Sequence, residues 1–497
     1  MKTTTMAGIP LHLAPTQRSA PNRKRAGAAA GKHRFLLAAG FCVFAAVGCA
    51  PKPLDLSKGL ACPPQLAGCL ASNVWTWVSG GNAVNSVGSY GSPGVAAAGN
   101  VPGGRFYASS WIDSSGNFWL WGGFGYASAA PSGYNNDLWE FDGTNWTWVS
   151  GSNAANSSGS FGAQGTTDPS NVPSGRNAAV SWIDSFDDLW LFGGSGYDST
   201  GVSVGSLNDL WVFDGANWTW VSGSNLENAA ASYGTQGIAA AGNVPGARFN
   251  SISWIDASDN LWLFGGDGID STGTLGLLND LWVFDGVYWT WVSGSNLANA
   301  AASYGTQGVA AAGNVPGGRN DSVSWIDGSG NLWLFGGIGY DSTGTSGNLN
   351  DLWMFDGANW TWVSGSSVAG AAASYGTPGV AAAGNVPGSR YSSISWIDAS
   401  GNLWLFGGNG TDSAGVTGQL NDLWKFDGTD WTWVSGGNLA NAAGSYGPLG
   451  VAAAGNVPPT RQNAVSWIDG SGNLWLFGGA NGTGNPNLLN DLWVYQP

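Results

Sequence analysis

The chain has 497 residues, of which 82 are glycine and 31 tryptophan; only 9% are charged, and the formal net charge is −15. An aromatic content of 13% excludes intrinsic disorder, which couples few aromatics to high charge. The glycines keep no every-third-residue period, which excludes a collagen-like chain, and the acidic balance excludes a nucleic-acid partner, whose phosphates need a basic footprint.

In chain order, the first element is a leader. Seven of the sixteen Lys and Arg precede residue 35, among them Arg18, Arg23, Lys24, Arg25, Lys32 and Arg34, and no acidic residue precedes Asp55. An apolar run of about fourteen residues follows from Phe35 to Gly48, which is the pattern of an export signal. It is shorter than the roughly 20 residues that a membrane span needs. Ala46-Val47-Gly48-Cys49 resembles the lipobox of bacterial lipoproteins, with Ala where Leu is usual. That resemblance implies cleavage before Cys49 and lipid on its sulfur. It places the protein in the bacterial cell envelope, at the outer membrane or cell surface, touching the membrane through the lipid anchor only. An ordinary cleaved signal and an uncleaved anchor are the alternatives. Residues 1–48 are thus read as the signal and 49–72 as a flexible tether. Within the tether, Cys62 and Cys69 either pair in an oxidising compartment or stay free thiols.

Both histidines, His12 and His33, fall in the leader. The body is therefore without imidazole for Ser-His-Asp or Cys-His activation or for a His-based metal site.

From residue 73 onward the chain is one unit written six times. Trp-Thr-Trp begins at Trp75, Trp146, Trp218, Trp289, Trp360 and Trp431, stepping by 71 with one step of 72. A Gly-Gly doublet begins at Gly122, Gly193, Gly265, Gly336, Gly407 and Gly478, and an arginine recurs at Arg105, Arg176, Arg248, Arg319, Arg390 and Arg461. Within one unit, Ser322 to Asp327, Asn331 to Gly336, Asp351 to Asp356 and Trp360 to Val363 are four short β-type runs separated by turn residues. Each unit is expected to form a four-stranded antiparallel sheet, and six in series suggest a propeller. The last unit stops at Pro497 without its fourth strand, while an unclaimed copy, Val74 to Val78, stands at the start of the body. An N-terminal strand completing the last blade would leave no open sheet edge.

The run from Arg319 through Gly-Asn-Leu-Trp-Leu-Phe-Gly-Gly and Leu-Asn-Asp-Leu-Trp-Met-Phe-Asp to Trp-Thr-Trp at Trp360 resembles the kelch repeat. The likeness covers residues 73–497. It implies an all-β, six-bladed kelch-type β-propeller of the galactose oxidase superfamily, with Gly-Gly ending the second strand of each blade. Kelch units run near 50 residues, and these carry about 25 more between the fourth and first strands. The copper activity of galactose oxidase needs histidines and a Cys-linked tyrosine, which the body lacks, so the chain is read as non-enzymatic and without a cofactor.

The inserted segment, for example Ser295 to Gly318, and the stretch after Gly-Gly, for example Ile338 to Asn350, leave the blade on the same side. Long loops are thus expected on one face, and that face is the candidate surface for a protein or glycan partner. The candidate residues are the six arginines with Tyr197, Tyr304 and Tyr340. Each arginine is read either as pairing with the aspartate that opens strand three (Asp137, Asp209, Asp280, Asp351, Asp422, Asp491) or as part of a cationic collar. Units three and four differ at 15 of 71 positions, several directly after the arginine, such as Phe249 and Asn250 against Asn320 and Asp321. The Asp341-Ser342-Thr343-Gly344-Thr345 loop is weighed as a calcium ligand, but it offers one sure carboxylate where calcium takes six to eight oxygens. A monomer is expected. Paired Asp carboxylates of a carbohydrate-active enzyme and a purely structural envelope role remain as alternatives.

Overall fold

The computed structural model describes residues 73–482 and 487–497. Cys49, Cys62 and Cys69, with the leader and tether, lie outside the described residues. Among the described residues there is no helix, hence none long and apolar enough to cross a membrane.

Each repeat folds as an antiparallel sheet. In the fourth, Val323–Ile326, Leu332–Tyr340, Ser346–Phe355 and Trp360–Ser364 are hydrogen-bonded in chain order, and a two-residue strand, Arg319–Asn320, pairs with the far end of the second. The turn between the first two strands is built by Asp327. Its carboxylate accepts hydrogen bonds from the Ser329 and Asn331 amides, the Asn331 side chain and the Trp333 indole, at 2.8–3.0 Å. One aspartate thus sets both the turn and the indole orientation in the following strand.

In blades one and six the second strand stops at the Gly-Gly doublet, as the kelch resemblance implied, but in blades two to five it runs through, in the fourth to Tyr340 with a bulge between Phe335 and Gly337. Gly336 and Gly337 hold φ of 65° and 96°. A Cβ on Gly336 would lie 2.7 Å from the Arg390 carbonyl oxygen of the next blade. The doublet is where two blades touch through backbone, so only glycine fits. Ile338 to Asn350, expected as a loop, is accordingly a paired hairpin in blades two to five. In blades one and six the same region is a separate short ladder, Phe124–Gly125 with Gly133–Tyr134 and Ala480–Asn481 with Asn487–Leu488.

The N-terminal strand Val74–Ser79 lies antiparallel to the last strand, Leu492–Gln496, with Trp75 opposite Tyr495 and Trp77 opposite Trp493. It supplies the outer strand of that sheet. First and last repeats also meet: Gly479 N–H donates to the Arg105 carbonyl at 2.9 Å, and the Trp467 indole donates to the Trp119 carbonyl at 3.3 Å. The innermost strands neighbour one another in sequence order, and Val465–Ile468 neighbours Ser109–Ile112. Six sheets therefore surround one axis as a β-propeller.

Tryptophan fills the seams. At each junction the leading Trp of Trp-Thr-Trp packs on an aromatic ring of the preceding blade, such as Trp360 on Phe264 and Trp431 on Phe335, both at 5.5 Å between centroids. Trp75 meets Phe406 at 5.3 Å and Trp146 meets Phe477 at 5.5 Å by the same rule. Trp121 takes the phenylalanine's place against Trp218. Each ring removes roughly 150–250 Å² from water, so these seams carry much of the apolar burial.

Candidate functional site

The recurring arginines are interior groups. Arg319 is 1% exposed and forms a two-pronged pair with Asp351, each contact at 2.8 Å. Asp351 also accepts from the Tyr304 hydroxyl at 2.6 Å and the Trp353 indole at 2.7 Å, and Arg319 donates to the Gly317 and Gly336 carbonyls. The other pairs are Arg105–Asp137, Arg176–Asp209, Arg248–Asp280, Arg390–Asp422 and Arg461–Asp491. Burial by itself would raise the Asp137 carboxyl, but the Arg105 guanidinium holds it below the usual range. Every guanidinium is buried and paired within its own repeat, so the arginines form no cationic collar and no part of a binding face. Tyr304 is likewise removed from the candidate surface, because its ring is 6% exposed and its hydroxyl is bound to Asp351.

The inserted segment is also not the open loop expected. It folds along the outer edge of the blade it precedes: Gly308 N–H donates to the Trp362 carbonyl at 2.8 Å, and the Asn314 side chain to the Trp360 carbonyl at 3.0 Å. The same contacts recur where Gly450 and Asn456 reach Trp77 and Trp75 of the N-terminal strand. About 25 extra residues per unit thus cover the outer strand edge. The Asp341 carboxylate is occupied by four donors, Thr343 N–H and Oγ1, Thr345 N–H and Ala369 N–H, at 2.7–3.1 Å. A cation-binding carboxylate would hold those positions open. Tyr197 and Tyr340 end the second strands of their blades and are half-buried, with the Tyr197 ring 5.9 Å from that of Tyr134.

The differentiated positions lie at the channel. Two residues beyond each arginine stand Tyr107, Ala178, Asn250, Asp321, Ser392 and Asn463, all at φ of 54–56°. The N–H of each donates to the carbonyl of its counterpart in the preceding blade at 2.9–3.2 Å, and Tyr107 closes the circuit onto Asn463. This backbone ring explains why Tyr, Ala and Ser adopt a left-handed conformation that costs of order 1–3 kcal/mol elsewhere. Five residue types occupy six equivalent places, and they line a cavity of about 150 Å³ at the upper mouth, on the side of the long hairpins.

Within that mouth Asp321 Oδ2 accepts from the Asn250 amide at 3.0 Å and the Tyr107 hydroxyl at 3.3 Å. Burial pushes its carboxyl up to about 7, against the lowering effect of Tyr107, Ser392 and Asn250, and nearby Asp267 adds to the rise. Burial raises the Tyr107 and Tyr391 hydroxyls as well, with Asp321 contributing to both. From Tyr107 an aromatic path runs outward through Phe106, Phe124, Tyr134 and Tyr197, with ring centroids 5.1–5.9 Å apart at each step.

The lower mouth is the opposite case. Its cavity of about 330 Å³ is lined by the same three residues from each blade, as in Ser324, Trp325 and Ile326. The serines hydrogen-bond from blade to blade, for example Ser324 to the Ser253 carbonyl at 3.2 Å. Three acidic residues of the turn in blade two, Asp184, Asp187 and Asp188, also lie on this side. Asp184 holds its own turn, and Asp187 accepts from Ser114 N–H and Oγ of blade one at 2.9 and 2.6 Å.

No family model matches the chain, and no curated protein matches it. Solved structures do. One described as "Structure of YjhT" is 14% identical, with a TM-score of 0.45, covering 80% of this chain and 96% of its own. Another, described as a novel fungal alcohol oxidase of the AA5 family in complex with copper, is 12% identical, with a TM-score of 0.41, covering 83% of this chain and 77% of its own. The donor set here does not fit that metal: after His33 there is no histidine and after Cys69 no cysteine. Among the described residues no three His, Cys, Asp or Glu side chains are grouped so as to hold a metal ion.

Sequence comparison of two units pointed at Asn250 and Asp321 but did not isolate their column. The signal was available, since among six near-copies the position two beyond the arginine carries five residue types and the position after Gly-Gly carries six.

Proposed function

We propose that this protein is an exported, lipid-anchored binding module that recognises a saccharide, peptide or protein partner at the upper mouth of its propeller. One observation carries the reading: six equivalent channel positions hold five residue types at one end, while the other end is the same in every blade. The divergence gathers at this end of the blade, where the position after Gly-Gly (Phe124, Ser195, Asp267, Ile338, Asn409, Ala480) also changes in every repeat, while the lower lining does not change at all. The half-buried aromatic path beside the ring offers stacking area, and Asp321 with its amide neighbours offers directional contacts. The test is a screen of the full chain against glycan, peptide and envelope-protein arrays, comparing wild type with Tyr107→Asn, Asp321→Asn and Ile326→Val. Retention of a ligand that the first two changes weaken and the third leaves alone supports the reading. A ligand indifferent to both upper-mouth changes overturns it.

The raised Asp321 carboxyl favours one second reading, a carbohydrate-active enzyme in which it serves as general acid. Glycan turnover abolished by Asp321→Asn would establish that alternative.

A further inference from the structure

Several acceptors on and beside the ring at the upper mouth lack partners, and of these Asn250 lines the cavity itself. Asn250 Oδ1, Asp267 Oδ1, Asn320 Oδ1 and Gln462 Oε1 are enclosed oxygens without a hydrogen-bond partner. The orientation of Asn250 is not free to reverse, because its nitrogen donates to Asp321 Oδ2. Ser392 is 5% exposed, lines the cavity, and its hydroxyl faces Asp321 and Tyr107 without reaching hydrogen-bond geometry. Asp267 lies opposite Phe249 in the strand register and acts electrostatically on Asp321.

Cations to balance these carboxylates are absent from the body's own side chains. Residues 73–497 contain seven basic groups, the six arginines and Lys425. Each arginine is committed to its aspartate, and Lys425 sits over the Trp404 ring at 5.7 Å. Buried acceptors and an uncompensated acid are costly unless a ligand supplies donors and positive charge. A neutral polyol brings as many acceptors as donors. A dehydrated divalent cation wants six to eight oxygens with strong negative charge among them, and one carboxylate, Asp321, lines the cavity. An ammonium brings three donors and one positive charge in a volume that a small cavity admits, and the Tyr107 and Phe106 rings can face it.

Resting on the upper mouth being the binding site, we infer that it takes a primary ammonium group borne on a carbon stem, as in a diamine, an amino sugar or a lysine side chain. Asp321 is the counter-ion, the unpartnered Oδ1 of Asn250 and the Ser392 hydroxyl are further acceptors, Asp267 adds negative charge nearby, and the stem leaves along the aromatic path.

The test titrates the full chain at pH 8 with n-butylammonium chloride, glucosamine and a lysine-containing tripeptide. Their uncharged counterparts n-butanol and methyl glucoside, and calcium chloride, are titrated beside them. Binding of at least one ammonium probe is expected, at least tenfold tighter than its uncharged counterpart and at least tenfold weaker in Asp321→Asn. The preferred probe identifies the source. Asp267→Asn should weaken binding in the same direction, and a thermal melt of each variant confirms folding.

Affinity should also fall as pH is lowered through about 7, where Asp321 takes up its proton. The groups facing Asp321 are Asp267, whose raised carboxyl acts in the same direction, and Tyr107 and Tyr391, which stay neutral because burial raises them. Methyl glucoside bound as tightly as glucosamine, and weakened by Asp321→Asn, would overturn the ammonium assignment while leaving the mouth as the binding site. Calcium binding that excludes butylammonium, or no binding of any ammonium probe, overturns the assignment as well. Ammonium probes that bind with both aspartate variants unaffected overturn the assignment and the mouth together.

Discussion

The two ends of the channel are made by one short segment of each blade, with Asp321 and Trp325 four residues apart in the fourth, and they differ in everything but backbone. At the lower end every blade presents Ser, Trp and Ile, so the lining is sixfold in chemistry as well as shape. At the upper end a closed circuit of backbone hydrogen bonds keeps the shape sixfold while the side chains change from blade to blade. Because the ring is held by main-chain groups, its side chains are released from structural duty. A repeat protein can diversify a site at low cost where backbone alone carries the closure.

The comparison breaks most visibly in the frame. Arg319→Met should lower unfolding free energy by about 3–5 kcal/mol, since Asp351 would be left buried and unpaired; Asp321→Asn at the mouth should cause no such loss, because it removes an acid that burial disfavours. Urea melts of both variants decide this, and equal losses would mean that the mouth is structural too. Next in size, Tyr304→Phe removes the hydroxyl on Asp351 and should cost about 1.5–3 kcal/mol. Blade two already has Phe161 at the matching place, where Arg176 Nη2 turns to Ser174 Oγ at 2.9 Å instead. Phe161→Tyr should therefore gain less than Tyr304→Phe loses.

Blade one supplies a test of opposite sign. Asn135 is 1% exposed and neither side-chain amide atom has a partner, while the matching residue elsewhere is leucine, as in Leu207 and Leu349. Asn135→Leu should stabilise the protein by about 1–3 kcal/mol in the same melts. No gain would mean that blade one holds a polar partner for this amide.

The mouth also sets a slope with pH. The folded carboxyl of Asp321 sits at about 7, above its model-peptide value of 3.8, so between those values the folded state binds the proton more tightly than the unfolded one. Stability should therefore fall as pH rises from about 4 to 7, by an amount that Asp321→Asn removes. Thermal melts across that range, wild type against variant, sharpen the contrast with Asp137, whose lowered carboxyl contributes stability that is lost on acidification.

Much of this was readable from the chain. The period of Trp-Thr-Trp, the aspartate opening strand three and the stray strand at Val74 specify sheets, pairing partners and the route by which the last sheet is completed. Less readable was what the extra residues do: Tyr304 and Asn314 look like loop residues until the hydroxyl is seen on Asp351 and the amide on the Trp360 carbonyl. Such contacts join positions 46 and 47 residues apart, and no local pattern encodes them.

The sequence by itself determined the repeat, the strand order within it and the absence of imidazole chemistry, because periodicity and residue type are local properties. Tertiary structure alone decided which polar residues are consumed by the frame and which are left to face the channel. That division depends on which side chains meet across blades, and only the closed arrangement of all six brings Tyr107, Asn250 and Asp321, from blades one, three and four, to one mouth.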